Sequence, residues 1–192
     1  MKEEIIQVFQ ESASIKVRFI RQNAEALGEA VKILVEAFKA GNKVLLFGNG
    51  GSAADAQHIA AEFVNRFIIE RPPLPAIALT TDTSILTSIS NDYGYADSFA
   101  KQVKALGRGG DVAIGISTSG AAANVLKAIK VAKKMGLKTI GLTGKDGGEL
   151  AKLADLALVV DSQSVPRIQE VHITIGHVLC DMVDRLLFQQ PT

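Results

Sequence analysis

Apolar positions recur at intervals of three and four through residues 2–40. They are Ile5, Val8, Phe9, Ile15, Phe19 and Ile20, then Leu27, Val31, Leu34 and Phe38. That period is helical, and Gly41 supplies a stop signal. The pattern predicts two N-terminal helices with a break near Asn23. After residue 42 the pattern changes. Short apolar runs, most of them rich in Val, Ile or Leu, occupy 43–47, 75–79, 111–116, 138–142 and 156–160. Each is too short for a helix. Helix-like segments fill the intervals at 52–67, 95–106, 121–135 and 147–153, and a last one spans 166–188. Continuous apolar strands alternating with helices predict an α/β fold, a parallel sheet covered on both faces. Ligands of such sheets sit at the carboxyl ends of the strands, near the reversal of strand order. No linker, repeat or charge run divides the chain.

Four segments at or near those ends carry candidate chemistry. Gly48, Asn49, Gly50, Gly51 and Ser52 follow the first strand and open a helix. Glycines let the backbone turn tightly and approach a ligand, and a helix start favours an anion. The same turn also reads as a plain strand-to-helix connection capped by Ser52. Ser117, Thr118 and Ser119, followed by Gly120, open another helix after the third strand. A cap needs one hydroxyl; three can ring a phosphate without Lys or Arg. Thr80–Ser84 and Asn91–Tyr95 are polar segments that fit sugar hydroxyls or ordinary loops equally. On the last helix Gln169, His172, Gly176 and His177 share a stripe.

His58, Glu62 and Arg66 are spaced i, i+4, i+8 on one face of the helix that follows the first glycine turn. A His and a Glu so spaced can bind a divalent metal or form an exposed polar pair. Gln169 and His177 would complete four ligands. Arg66 pairs with Glu62 or reaches a ligand. Cys180, among Val178, Leu179, Met182 and Val183, reads as a small buried hydrophobe.

Composition narrows the classes. The chain has 192 residues, enough for one domain with a sizeable core. Its net charge of +1 gives no global electrostatic reason to bind nucleic acid or membrane. A single cysteine excludes an internal disulfide. Glu3 and Glu4 stand where a signal peptide carries only basic charge. A cytoplasmic protein is expected.

The chain resembles the sugar isomerase (SIS) domain and, within it, the phosphoheptose isomerase family. The matching pieces are Gly-Asn-Gly-Gly-Ser-Ala-Ala-Asp-Ala-Gln-His at 48–58, Asn-Asp-Tyr-Gly at 91–94 and Gly-Ile-Ser-Thr-Ser-Gly at 115–120. Leu-Thr-Gly-Lys-Asp-Gly-Gly at 142–148, Arg-Ile-Gln-Glu at 167–170 and His177 also match. The resemblance implies a flavodoxin-like three-layer sandwich with a five-stranded parallel sheet. It implies one SIS domain over 1–192, with the N-terminal helices (1–40) packing an oligomer and 41–188 forming the α/β core. It further implies a homotetramer with active sites at subunit interfaces.

The residue roles come with the resemblance. Asn49, Gly50, Gly51 and Ser52 line the substrate site, and Asn91 and Asp92 bind the sugar chain. Ser117, Thr118 and Ser119 hold the phosphate. Glu62 and His177 form the acid/base pair, and Gln169 and Glu62 also face substrate. Zinc, one per subunit, is held by His58, Glu62, Gln169 and His177. The implied reaction interconverts sedoheptulose 7-phosphate and D-glycero-D-manno-heptose 7-phosphate, feeding bacterial surface polysaccharide.

One departure stands out. The family reads Ser-Gly-Asn-Ser where this chain reads Ser119, Gly120, Ala121, Ala122. Loss of the serine removes one charge-assisted hydrogen bond to phosphate, worth about 1.5–3 kcal/mol where fully made. Weaker substrate binding is expected. The competing reading is a non-catalytic adaptor resembling DiaA, which binds the replication initiator DnaA. That adaptor lacks the histidine standing here as His177, so the residues favour the enzyme. A sugar-phosphate sensor would carry an attached regulatory domain, for which 192 residues leave no room.

Overall fold

The computed structural model describes residues 1–189. Helix α1 runs unbroken over Lys2–Lys39, so the expected break near Asn23 is absent. The Asn23 amide donates back to the Phe19 carbonyl one turn earlier, at 3.0 Å, and the helix absorbs it. Ile15, Phe19, Leu27, Val31, Leu34 and Phe38 form the buried stripe of α1. Its first turns bury nothing, and Phe9 is 74% exposed.

The remaining elements alternate. They are β1 (Val44–Gly48), α2 (Gly51–Val64), β2 (Ala76–Ala78), α3 (Thr83–Tyr93), α4 (Ser98–Leu106) and β3 (Val112–Ser117). Then come α5 (Ala123–Lys134), β4 (Lys138–Gly144), α6 (Gly148–Leu153), β5 (Leu156–Val160) and α7 (Val165–Phe188). The strands form one parallel sheet in the order β2-β1-β3-β4-β5. The order reverses between β1 and β3, where Val44 pairs with Val112 and Gly48 with Ile116.

Successive residues of β1 feed opposite layers, as the two-residue strand period requires. Val44 and Leu46 pack with α1, α2 and α7, whereas Leu45 and Phe47 pack with α4, α5 and α6. The result is the three-layer α/β sandwich. Among the described residues no helix is long and apolar enough to cross a membrane.

Two sequence expectations need correction. Helix α3 arises where only polar segments were read, and it buries none of its residues. Asp82 caps it, accepting from the Ile85 N–H at 2.9 Å. Asn91 and Asp92 therefore lie in its last turn rather than in a loop. The segment expected as a helix over 95–106 starts with a 3₁₀ turn at Tyr95–Asp97 before α4.

His172 is fully buried on α7 and serves the core, not a ligand. Its Nε2–H donates to the Thr143 carbonyl at the end of β4, at 3.1 Å. Burial pushes its pKa down to about 4, partly opposed by that hydrogen bond. The unfolded imidazole then binds a proton that the folded one refuses. Stability from this residue is intact above the ordinary histidine value of 6.5 and falls as pH drops toward 4. The full loss is about 3 kcal/mol. His172→Gln keeps an N–H for Thr143 but does not titrate. Urea unfolding at pH 7 and pH 4 should show a smaller loss for this variant, by up to that amount; an equal loss would contradict the assignment.

Candidate active site

The site is built where the β1 and β3 ends lie side by side. Gly48 ends β1 with no room for a side chain: a Cβ there would lie 2.8 Å from both the Ile116 carbonyl and Ser52 Cβ. Gly50 turns the chain with φ 57° and ψ −123°, which suits glycine. Gly50 is also the N-cap of α2, and no side chain caps that helix. Ser52 is therefore a buried residue inside the helix and not its cap. The first N–H groups of α2 remain open toward the turn.

Asn49 is fixed in orientation. Its Nδ2 donates to Asn124 Oδ1 at 2.9 Å, and its Oδ1 accepts from Asn124 Nδ2 at 2.9 Å. The Tyr95 hydroxyl donates to the same Oδ1 at 2.8 Å. Both lone pairs of that oxygen are engaged, which leaves one Nδ2–H to meet a ligand oxygen. Asn124 is buried at the start of α5, and its Oδ1 also accepts from the Val125 N–H at 3.0 Å. Asn124 was not singled out from sequence, and Tyr95 only as the end of the polar segment 91–95. A lone Asn in the apolar first turn of a helix was the available signal.

Ser117 is buried, Thr118 half-buried and Ser119 exposed, in a row from β3 toward α5. Ser119 Oγ accepts from the Ala121 N–H at 3.3 Å. Ala122 is the N-cap of α5 and offers no capping side chain. The α5 start is thus a bare anion-favouring helix terminus beside three hydroxyls. The loop after β4 closes on it: the Leu150 N–H donates to the Gly120 carbonyl at 2.9 Å.

Helices α2 and α7 cross beside this turn with glycines at both contacts. A Cβ on Gly51 would collide with the Gln169 amide. A Cβ on Gly176 would lie 2.6 Å from Ile59 Cγ1. Close to the second contact His58 Nε2 and His177 Nε2 stand 3.5 Å apart. Glu62 Oε1 lies 3.2 Å from His58 Nε2. The His177 ring stacks on Phe67, with centroids 5.4 Å apart. Burial lowers the His177 pKa, His58 lowers it further and Glu62 partly opposes them. His177 is neutral at pH 7.

Glu62 Oε1, His58 Nε2 and His177 Nε2 each carry a lone pair when deprotonated. Such a donor set suits a cation. The two spacings bracket the edge of a tetrahedron around zinc, roughly 3.3 Å for bonds of 2.0–2.1 Å. Among the described residues, however, no group of three or more His, Cys, Asp or Glu is arranged to hold a metal. Gln169 is directed at Gly51, and no hydrogen bond links it to the other three ligand candidates among the described residues. Near the same crossing Asp55 has a buried Oδ2 without a partner, and burial raises its pKa against the pull of His58.

Other predicted residues stand apart. Arg66 pairs with Glu70 at 3.6 Å, not with Glu62. Asn91 Nδ2 donates to Asp92 Oδ1 at 2.9 Å, and both residues are exposed at the end of α3. Cys180 is buried, and burial foremost raises its pKa, which leaves it an inert thiol.

A glycine turn and a hydroxyl-rich helix start at the strand ends, with a His/Glu/His cluster farther along the α2–α7 crossing, define a class of protein. The family model described as SIS domain matches residues 7–144. The phosphoheptose isomerase of Thermodesulfovibrio yellowstonii is 54% identical over 191 residues, 100% of this chain and 95% of that protein. That of Roseiflexus sp. is 56% identical over 186 residues, covering 97% and 94%. The structure of phosphoheptose isomerase GmhA from Neisseria gonorrhoeae superposes with a TM-score of 0.90 at 45% identity, over 95% of this chain and 98% of that one. The Francisella tularensis phosphoheptose isomerase gives 0.91 at 41%, over 95% and 97%. The chain belongs to the SIS domain family and, within it, to the phosphoheptose isomerases. It is a sugar-phosphate isomerase.

The Tyr95 hydroxyl bond makes a test of the Asn49 geometry. Tyr95→Phe removes one neutral hydrogen bond, worth about 0.5–1.5 kcal/mol. Turnover per unit substrate, kcat/KM, should fall roughly 2–10-fold, with little change in Tm. An unchanged kcat/KM would show that Asn49 needs no such fixing.

Proposed function

We propose that this enzyme interconverts sedoheptulose 7-phosphate and D-glycero-D-manno-heptose 7-phosphate through an enediol. It would thereby supply the first step of ADP- or GDP-heptose synthesis for lipopolysaccharide or related surface polysaccharide. The carrying observation is the cluster of Glu62, His58 and His177, drawn from two helices, in a chain that also presents an uncapped helix start with three hydroxyls.

The chemistry follows from those positions. An aldose-ketose isomerisation moves one proton between neighbouring carbons and one between their oxygens. Glu62 on α2 and His177 on α7 approach from different helices, so one serves carbon and the other oxygen. His177, neutral at pH 7, is able to accept a proton and return it. The phosphate lies at Ser117, Thr118 and Ser119, with the α5 N–H groups completing its shell. Asn49 offers its free N–H to a sugar oxygen, and Gly50, Gly51, Ser52 and Gln169 shape the turn around it. Asn91 and Asp92 bind the sugar chain, and the chain assembles as a homotetramer with active sites at subunit interfaces. The exposed Ile5, Phe9, Val17 and Ile20 on α1 support such packing.

Zinc would be held by His58, Glu62, Gln169 and His177, and would supply Lewis-acid chemistry there. A charged sugar phosphate does not cross a membrane unaided, which puts the enzyme in the cytoplasm.

The test is direct. The protein is incubated with sedoheptulose 7-phosphate, with and without zinc and with a chelator, and heptose 7-phosphate is followed by NMR. Turnover in at least one condition is expected, and none in any would contradict the reading. Glu62→Gln and His177→Gln should each lower kcat at least 1000-fold while the oligomer survives gel filtration. Ala122→Ser restores a cap and a phosphate donor together. It should raise stability by about 1 kcal/mol and lower KM several-fold. An unchanged or higher KM would show that the phosphate does not use this helix start.

A further inference from the structure

Helix α2 ends without a glycine cap. Its C-cap residue, Asn65, has φ −89° and ψ −91°, so the left-handed turn that usually satisfies the last carbonyls is missing. Those carbonyls point to Arg71, which is fully buried. One terminal nitrogen of its guanidinium, Nη1, donates to the Phe63 carbonyl at 2.7 Å. The other, Nη2, donates to the carbonyl of Glu62 at 2.9 Å. Nε donates to Asp184 Oδ1 on α7 at 2.8 Å. Asp184 is itself buried, its side chain 3% exposed. His177 and Asp184 stand seven residues apart, two turns along one face of α7.

We infer that Arg71 is a positioning residue for the reaction: it clamps the carboxyl end of α2 to α7 and so holds the Glu62 carboxylate opposite His177. The inference rests on the functional reading above. Arg71 touches neither substrate nor either reacting side chain. It binds the main chain of Glu62 and the helix that carries His177. A rigid five-donor fork meets the carbonyls of Glu62 and Phe63, more distantly those of Pro72 and Asn65, and a carboxylate at once; a lysine ammonium has one nitrogen and cannot span them. The charge also opposes the negative end of the α2 dipole, so the burial of a cation is compensated on three sides. The Leu74 N–H also donates to the Phe63 carbonyl at 3.0 Å, and among the described residues no side chain other than that of Arg71 reaches it or the Glu62 carbonyl.

Two variants and two readouts test it. Arg71→Met with Asp184→Leu removes the clamp and leaves no unpaired buried charge, so the fold is retained. Arg71→Lys keeps the charge and loses the fork. For each folded variant kcat should fall at least tenfold with KM within threefold of the parent. Amide hydrogen exchange at Phe63, Val64 and Asn65 should speed up at least tenfold, with β3 amides unchanged. A folded variant with kcat within twofold of the parent and unchanged exchange overturns the inference. Loss of folding in both variants also overturns it, because Arg71 would then serve global stability. If the parent itself turns over no sugar phosphate, the functional reading fails and the exchange measurement alone decides the clamp.

Discussion

The contact between Gly176 on α7 and Ile59 on α2 is the constraint on which the site depends. Packed helices ordinarily keep their axes 8–10 Å apart, with side chains filling the space between. Here one helix presents bare backbone to an isoleucine, and any Cβ would press on it. The helices draw together, and the neighbouring residues His58 and His177 meet ring edge to ring face. Glu62 follows one turn later on α2. The buried face that stabilises the sandwich and the pair that moves protons are thus products of the same crossing. A larger residue at 176 would cost packing and geometry together.

Charge is handled in a distinctive way around this crossing. Among the candidate phosphate residues none is Lys or Arg. Two helix starts, each without a capping side chain, stand at adjacent strand ends and supply positive potential through their N–H groups. The basic groups lie elsewhere: Arg71 is sealed between α2 and α7, and Arg66 is turned to Glu70. The His177 imidazole, its pKa lowered by burial and by His58, then stands in the same cluster as a carboxylate, which suits proton transfer better than ion pairing.

Much of this was legible in the chain. The central strands β1, β3 and β4 are buried on both sheet faces, so their apolar runs read as continuous, and all five runs appear as paired strands. The glycine turn at 48–52 and the hydroxyls at 117–119 announce themselves because tight turns and anion contacts demand particular residue types. Helix α3 did not, because it buries no residue fully and offers only Ile85, Leu86 and Ile89 among polar neighbours; Asp82 marked its start. The break near Asn23 was misread because a side chain bonding back into its own helix leaves the same composition as one that ends it. Asn124, Tyr95 and Arg71 gain their roles through partners 75, 46 and 113 residues away, and no local pattern encodes such pairings. The arrangement of Gln169 over Gly51 is likewise a fact of helix crossing, invisible to spacing along one helix.

The central claim is that side chains at this crossing carry a proton through an enediol. Isomerisation in deuterium oxide tests it most directly, with the heptose 7-phosphate product read by NMR at C-2. A proton held by Glu62 or His177 exchanges with solvent, so the account predicts deuterium at C-2 well above background. A product whose C-2 hydrogen comes wholly from C-1 of the substrate, at full turnover, would indicate direct hydride transfer and contradict it.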